Sequence, residues 1–256
     1  ANALLKAIEE PPEHTVWLLC APSPEDMIAT IRSRCRHLGL RIPTASAVAD
    51  LLVREGVATP DVALEAARAA QSHIGLARAL ARDPQMRERR RAIITAPASV
   101  RSVGEAVMAA DRLLETAKAQ ADAQVSERNA REKAELMRQL GMGEGESATK
   151  ASRTMIRQLE EDQKRRSKRA LTDAIDRALI DLLAIYRDVL MVQVGGDGEL
   201  INTDLSDLVH EIAQDSTPRQ TLARVDHIET ARKRLVSNGN PLLVLEDMAI
   251  SLRPQA

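Results

Sequence analysis

Arg32, Arg34 and Arg36, interleaved with Ser33 and Cys35 in the run Ala29-Thr30-Ile31-Arg32-Ser33-Arg34-Cys35-Arg36, are the residues best placed to act on a phosphate. A guanidinium stays charged and presents a planar fork of donors that matches phosphate oxygens. A γ-phosphoryl group in transfer spreads negative charge over its oxygens. An arginine reaching in from outside the site stabilises that charge, by on the order of 10³–10⁵-fold in known fingers. The competing reading is an arginine paired with a local carboxylate such as Glu25 or Asp26, which is what composition alone favours.

A finger needs a nucleotide, and this sequence offers no cradle for one. No G-x-x-x-x-G-K-[ST] occurs, so there is no phosphate loop with a hydroxyl for magnesium. The nearest glycine cluster, Gly141-Met142-Gly143-Glu144-Gly145, has no lysine behind it and carries acids that repel phosphate. The 256 residues are therefore expected not to bind ATP alone, and they read as a fragment lacking the N-terminal half of the first domain.

Other chemistry-bearing residues are dispersed. Arg87, Arg89, Arg90 and Arg91 form one basic cluster, and Lys164, Arg165, Arg166, Lys168 and Arg169 form another. Either could meet DNA phosphates, which attract lysine and arginine whatever the base sequence. The competing reading is a solvated helical face balanced by Glu160, Glu161 and Asp162. No aromatic residue lies near either cluster to stack on a base. His14, His37, His73, His210 and His227 fall at no metal spacing, and Cys20 and Cys35, fifteen apart, make no zinc site. In a cytosolic protein both thiols stay reduced.

The elements that must carry these residues are mostly helices. Hydrophobic residues make up 44 %, but the aromatics are only Trp17 and Tyr186, with no Phe. Cores of Ala, Leu, Ile and Val suit close helix packing and argue against an all-β fold. The formal charge of −1 gives no whole-molecule attraction to nucleic acid. No apolar run approaches the ~20 residues that span a bilayer, and no signal peptide is visible.

Asn2 to Glu10 reads as a helix stopped by Pro11-Pro12, and Thr15 to Ala21 as a strand buried in a parallel sheet. Ser23-Pro24-Glu25-Asp26 then starts a helix running to Ile31, which leaves the three arginines on the turn that follows. Leu38 to Pro43 leaves this region. Thr44 caps a helix with Val48, Leu51 and Leu52 that stops at Gly56; Thr59-Pro60-Asp61 starts the next; Ile74 to Ala81 is a third, closed by Asp83-Pro84.

From about residue 96 the pattern is helical throughout. Val103, Val107, Ala110, Leu114, Ala117 and Ala121 form one seam, and Ile175, Leu179, Leu182, Tyr186 and Val189 another. Residues 118–170 between them are densely charged and broken by glycines. They read as an antiparallel helical hairpin, with disorder over part of it as the alternative. Leu205, Leu208, Val209 and Ile212 mark another helix, as do Leu222, Val225, Ile228 and Leu235. After the stop Asn238-Gly239-Asn240-Pro241, Leu245, Met248, Ala249 and Leu252 close the chain.

The order helix, Pro-Pro, apolar segment Val16 to Ala21 and Thr30-Ile31-Arg32-Ser33-Arg34-Cys35 resembles the AAA+ clamp-loader family of DNA polymerases, and within it the delta-prime subunits of bacterial DNA polymerase III. The resemblance implies a mainly α chain in three parts. These are a remnant of the AAA+ α/β domain (1–42), a helical lid (43–95) and an all-α collar for oligomerisation (96–256) with a charged hairpin insertion at about 118–170. The run Ala231-Arg232-Lys233-Arg234-Leu235 through Asn240-Pro241 to Leu245-Glu246 is similar to the collar's closing helical pair.

By the same resemblance, Arg34, in its Ser33-Cys35 context, is a finger acting in trans on ATP and Mg held by a neighbouring subunit. Arg78 in Gly75-Leu76-Ala77-Arg78 matches a lid arginine that faces the nucleotide of its own subunit. The family often carries a zinc module upstream. Its first nucleotide sensor is usually a threonine after the buried strand, where Ala21 and Pro22 stand here and offer no side-chain hydrogen bond.

The implied partners are the gamma/tau ATPase subunits, the delta subunit, the sliding clamp, and primed DNA through the assembled complex, with no membrane. The implied role is to complete the ring of the cytoplasmic holoenzyme, a nucleotidyltransferase with ATPase subunits, without independent activity. A gamma or tau ATPase subunit and a non-catalytic helical scaffold are the alternatives.

Overall fold

In a computed structural model of the chain, residues 7, 8, 10–21, 23–140 and 150–253 are described, residues 150 and 151 by backbone alone. They fall into two units, Ala1–Pro43 and Thr44–Ala256.

In the first unit Ala7 and Ile8 are helical, and the rest of the helix expected over 2–10 lies outside the described residues. Thr15 to Ala21, expected as a buried strand, is neither strand nor buried: Val16 is 82 % and Leu18 85 % exposed. A strand requires a neighbour to satisfy its backbone groups, and no strand exists among the described residues to pair with it. Trp17 is fixed instead by its indole Nε1, which donates to the Ala7 carbonyl at 3.1 Å.

The helix start at Ser23 forms as expected, but the helix does not continue to Ile31. A 3₁₀ turn, Pro24–Asp26, ends at an extended Met27, and α1 (Ala29–Arg32) begins separately. The break follows from the lack of a face to bury, since only Ile31 of this stretch is buried, and short helices without packing are marginal in water.

The second unit is helical. Thr44 caps α2 (Ala45–Arg54) by accepting from the Ala47 N–H, and Gly56, at φ +66, ends it in the left-handed conformation that glycine adopts freely. Next come α3 (Pro60–Ala69) and α4 (Ile74–Arg82), where His73 caps α4 through Nδ1 to the Leu76 N–H at 3.1 Å. Asp83 closes α4 and caps α5 (Pro84–Ser99). Val48, Leu52, Ala63, Ala66, Ala67, Ala77 and Leu80 form one apolar cluster, in which alanines let α2, α3 and α4 approach closely.

The larger cluster joins α5, α6 (Val103–Gln139), α7 (Lys150–Gln193), α8 (Ser206–Gln214), α9 (Pro218–Val236) and α10 (Pro241–Ser251). The seam of α7 is buried at all five expected positions. That of α6 is buried from Ala110 to Ala121 and extends to Ala106 and Val125, while Val103 stays exposed.

The expected hairpin has two helical arms, α6 and the first half of α7. Lys133 meets Glu160, Gln163 donates to the Asn129 carbonyl, and Ala170 packs near Ala121 and Val125, so the arms run antiparallel. The glycine run 141–145 lies outside the described residues. Beyond Val125 the arms are laced by ion pairs such as Arg166–Glu132 at 2.8 Å. Water and salt screen such exposed pairs, so each steadies the arms only weakly.

Candidate functional site

Ser23 begins the construction of the arginine turn. Its Oγ accepts from the Glu25 N–H at 3.3 Å, and its own N–H donates to Asp26 Oδ2 at 3.2 Å, a reciprocal capping box. The Ser23 hydroxyl also donates to the Glu25 carboxylate. That bond holds the Glu25 carboxyl below its ordinary range, helped by its own backbone N–H and by the charges of Arg32 and His37. Both carboxylates that could have paired with the turn are thus engaged at its entrance.

After α1 the chain turns through three short backbone bonds: Ser33 N–H to Ala29, Arg34 N–H to Ile31 and Cys35 N–H to Arg32. Arg32, Ser33, Arg34 and Arg36 are exposed, and Cys35 is half-buried. Arg34 Nη1 donates to the Thr30 carbonyl at 2.9 Å and lies 3.4 Å from Ser33 Oγ, which itself donates to Thr30 at 3.2 Å. Thr30 and Ser33 therefore steady the guanidinium against its own helix end. The Ser33 hydroxyl takes part through its side chain, whereas Thr30 takes part only through its backbone carbonyl.

Arg78 is placed differently. Its Nε and Nη2 fork onto Glu55 at 3.0 and 2.9 Å, tying α4 to the C-terminal end of α2. At the expected sensor position Ala21 is exposed, and Pro22 lies outside the described residues.

The basic cluster at 87–91 is largely structural. Arg87 donates to the carbonyls of Leu80 and Ala81 at the end of α4, Arg89 pairs with Asp83, and Arg91 with Asp204. Arg90 is buried and bonds Asp181 through Nε at 3.0 Å and Asn202 through Nη2 at 2.5 Å. In the second cluster Arg165 pairs with Asp162, Arg166 with Glu132, and Lys168 donates to Asn238, while Lys164 and Arg169 are exposed. The solvated, internally balanced face fits this second group.

Arg90 opens onto a buried polar network that sequence reasoning missed. Fully buried Asp188 accepts from the backbone N–H groups of Ile201 and Asn202 at 3.0 and 2.8 Å, from Asn202 Nδ2 at 2.9 Å and from Arg187 at 2.9 Å. Burial pushes the Asp181 carboxyl up, and the Arg90 charge and hydrogen bond oppose it. A signal existed: Asp181 and Asp188 lie one heptad apart beside Leu182 and Val189 in an otherwise apolar stretch. Acids in that position must find partners.

Residues 1–44 match the family model described as DNA polymerase III, delta subunit. That span takes in the first unit and the arginine turn. The DNA polymerase III subunit delta' of Escherichia coli K12 is 42 % identical over 80 residues, 31 % of this chain and 24 % of that protein. The subunit delta' of Bacillus subtilis 168 is 24 % identical over 253 residues, 99 % of this chain and 61 % of that protein. The gamma/tau subunit of Mycobacterium tuberculosis H37Rv is 42 % identical over 64 residues, 23 % of this chain and 11 % of that protein. The chain spans less than two thirds of the length of each. With one delta' subunit matching along nearly the whole chain and the family model covering the arginine turn, this protein is a relative of the delta-prime subunits of the clamp-loader family.

Proposed function

We propose that this chain acts within a delta-prime-type clamp-loader subunit, and that Arg34 serves an ATP and its Mg held by a neighbouring gamma/tau-type subunit. The observation that carries the reading is the position of Arg34: exposed on a turn, braced by Thr30 and Ser33, inside the stretch matched by the family model. In this reading residues 1–42 are the end of an AAA+ domain, 43–95 its lid, and 96–256 a collar that joins the other subunits. Coupling of ATP turnover to clamp loading on primed DNA then passes through the ring, which also contains a delta subunit, in the cytoplasm.

Two features support an assisting role over turnover in cis. Ala21, at the sensor position, has no group to orient water or phosphate. Arg78, in the lid position, is engaged by Glu55 and would have to leave it to reach a nucleotide. The mycobacterial gamma/tau similarity favours an ATPase subunit as the second reading.

The test mixes the intact subunit with its ATPase partner. Arg34→Ala should lower ATP turnover while the complex elutes unchanged in size-exclusion chromatography. Unchanged turnover would leave the helical scaffold as the better description.

A further inference from the structure

A cavity of about 390 Å³ opens in the second unit between the C-terminal end of α5, the end of α8 and the first half of α9, with Tyr186 of α7 lining it. Arg224 of α9 lines it too, is only 8 % exposed, and lays its guanidinium 5.8 Å from the centroid of the Tyr186 ring. Among the described residues it has no hydrogen-bond or ion-pair partner, and none of its nitrogens is sealed from solvent, so the fork faces the cavity. A guanidinium remains charged in proteins, and a buried charge without a partner is costly. Water reaches the Arg224 nitrogens, and an anion in front of the fork would supply the countercharge that the chain does not place there.

The surroundings select the kind of anion. Arg101, whose Nη1 donates to the Ala98 carbonyl, also lines the cavity, as do Glu211 on α8 and Asp215 just past its end, neither of which pairs with Arg224. The two carboxylates about balance the two guanidinium groups, so the cavity gives a dianion such as phosphate no marked advantage over a single carboxylate. Ile212 and Leu252 supply apolar wall for a short stem. Two nearby buried oxygens also have no partner. One is Thr221 Oγ1, one turn before Arg224. The other is Oε1 of Gln193, whose amide nitrogen donates to Ala213 and to Ser216 on the cavity wall. Neither Thr221 nor Gln193 lines the cavity, so recognition there rests on Arg224.

We propose that this cavity is a binding site for a carboxylate on a short aliphatic or peptide stem, with Arg224 as the forked donor and the Tyr186 ring behind it. The planar fork donates to both carboxylate oxygens at once, and the aromatic face holds the guanidinium in place by cation–π attraction.

Tyr186 is the only tyrosine in the sequence, so tyrosine labelled with ¹³C at Cζ gives one NMR signal, placed at the site. The full chain is titrated with N-acetylglutamic acid α-amide, N-acetylglycine, the neutral isostere N-acetylglutamine amide, and inorganic phosphate. At least one carboxylate should shift the signal saturably, with the neutral amide and phosphate at least about tenfold weaker. The stronger of the two carboxylates identifies a side-chain or a C-terminal source. Arg224→Gln should abolish the shift. Because that variant could lose its fold, Ala98→Leu, which narrows the cavity, and the isostere comparison on the unaltered protein provide independent arms. No saturation, an equal response to the neutral amide, tighter binding of phosphate, or an unchanged response in folded Arg224→Gln would each overturn the proposal.

Discussion

In the first unit Val16, Leu18, Leu40 and Ile42 stand in solvent, and Ile31 is the one buried side chain among its described residues. In the second, Leu52, Leu179, Ile185, Val189 and Leu245 are fully enclosed. The difference lies in what each kind of element needs. Helices satisfy their own backbone and require only a neighbouring helix to cover an apolar stripe, which short connections supply. A strand-like apolar segment needs backbone partners in register, and the described residues of this unit provide none. The stretch matched by the family model is thus the part with the least core of its own. An exposed turn suits the role proposed for Arg34.

The largest effect should come from the buried network of the second unit. Asp188→Ala leaves two backbone N–H groups and Asn202 without their acceptor, and we expect a loss of about 3–5 kcal/mol in denaturant unfolding followed by circular dichroism. A loss below about 1 kcal/mol would mean that water replaces the carboxylate and that the core is looser than it looks. A paired substitution comes next: Leu179→Ala should cost about 2–5 kcal/mol, and Leu18→Ala no more than about 0.5 kcal/mol. Similar costs at the two sites would erase the contrast between the units.

Two titrations give smaller effects. Burial pushes the Tyr186 phenol from 10.0 up to about 12, and Arg224 pulls it part of the way back. The folded value lies above the unfolded one, so this contribution to stability is complete below pH 10 and is lost as pH rises through about 12. Ultraviolet absorbance should show mostly un-ionised tyrosine at about pH 11; a midpoint near the ordinary value would place the ring in water. Glu132 is held from 4.5 down to about 2, first by its hydrogen bond from Arg166 and then by Arg128. Its contribution to the hairpin is present above pH 4.5 and is lost as pH falls through about 2. Side-chain ¹³C NMR should show this low midpoint, and Arg166→Gln should raise it.

Much of this molecule is legible in local sequence because local rules build it. Thr44, Thr217 with Gln220 and Asn240 each cap the helix that follows them, while Ser23 with Asp26 caps only a 3₁₀ turn. The α7 seam from Ile175 to Val189 reads directly from its spacing of threes and fours. What could not be read depends on distant residues. Arg90 finds Asp181 ninety-one positions away and Asn202 one hundred and twelve away, so a charge run that reads as a nucleic-acid patch is partly an internal tie. Thr15 to Ala21 has a strand's composition, but composition names no pairing partner. At the candidate site the arginine-rich run was visible, whereas the bracing of Arg34 by Thr30 and Ser33 needed the turn itself.

The central claim is that Arg34 acts through the shape of its fork, and substitution by lysine tests it most directly. In the complex with the ATPase partner and DNA, Arg34→Lys should lose on the order of tenfold or more of the stimulated turnover, because an ammonium cannot reproduce the paired hydrogen bonds. Arg32→Lys and Arg36→Lys should lose little, and all three variants should still join the complex. Full turnover in Arg34→Lys, or equal losses in all three, would contradict the account and leave the turn as a general basic surface.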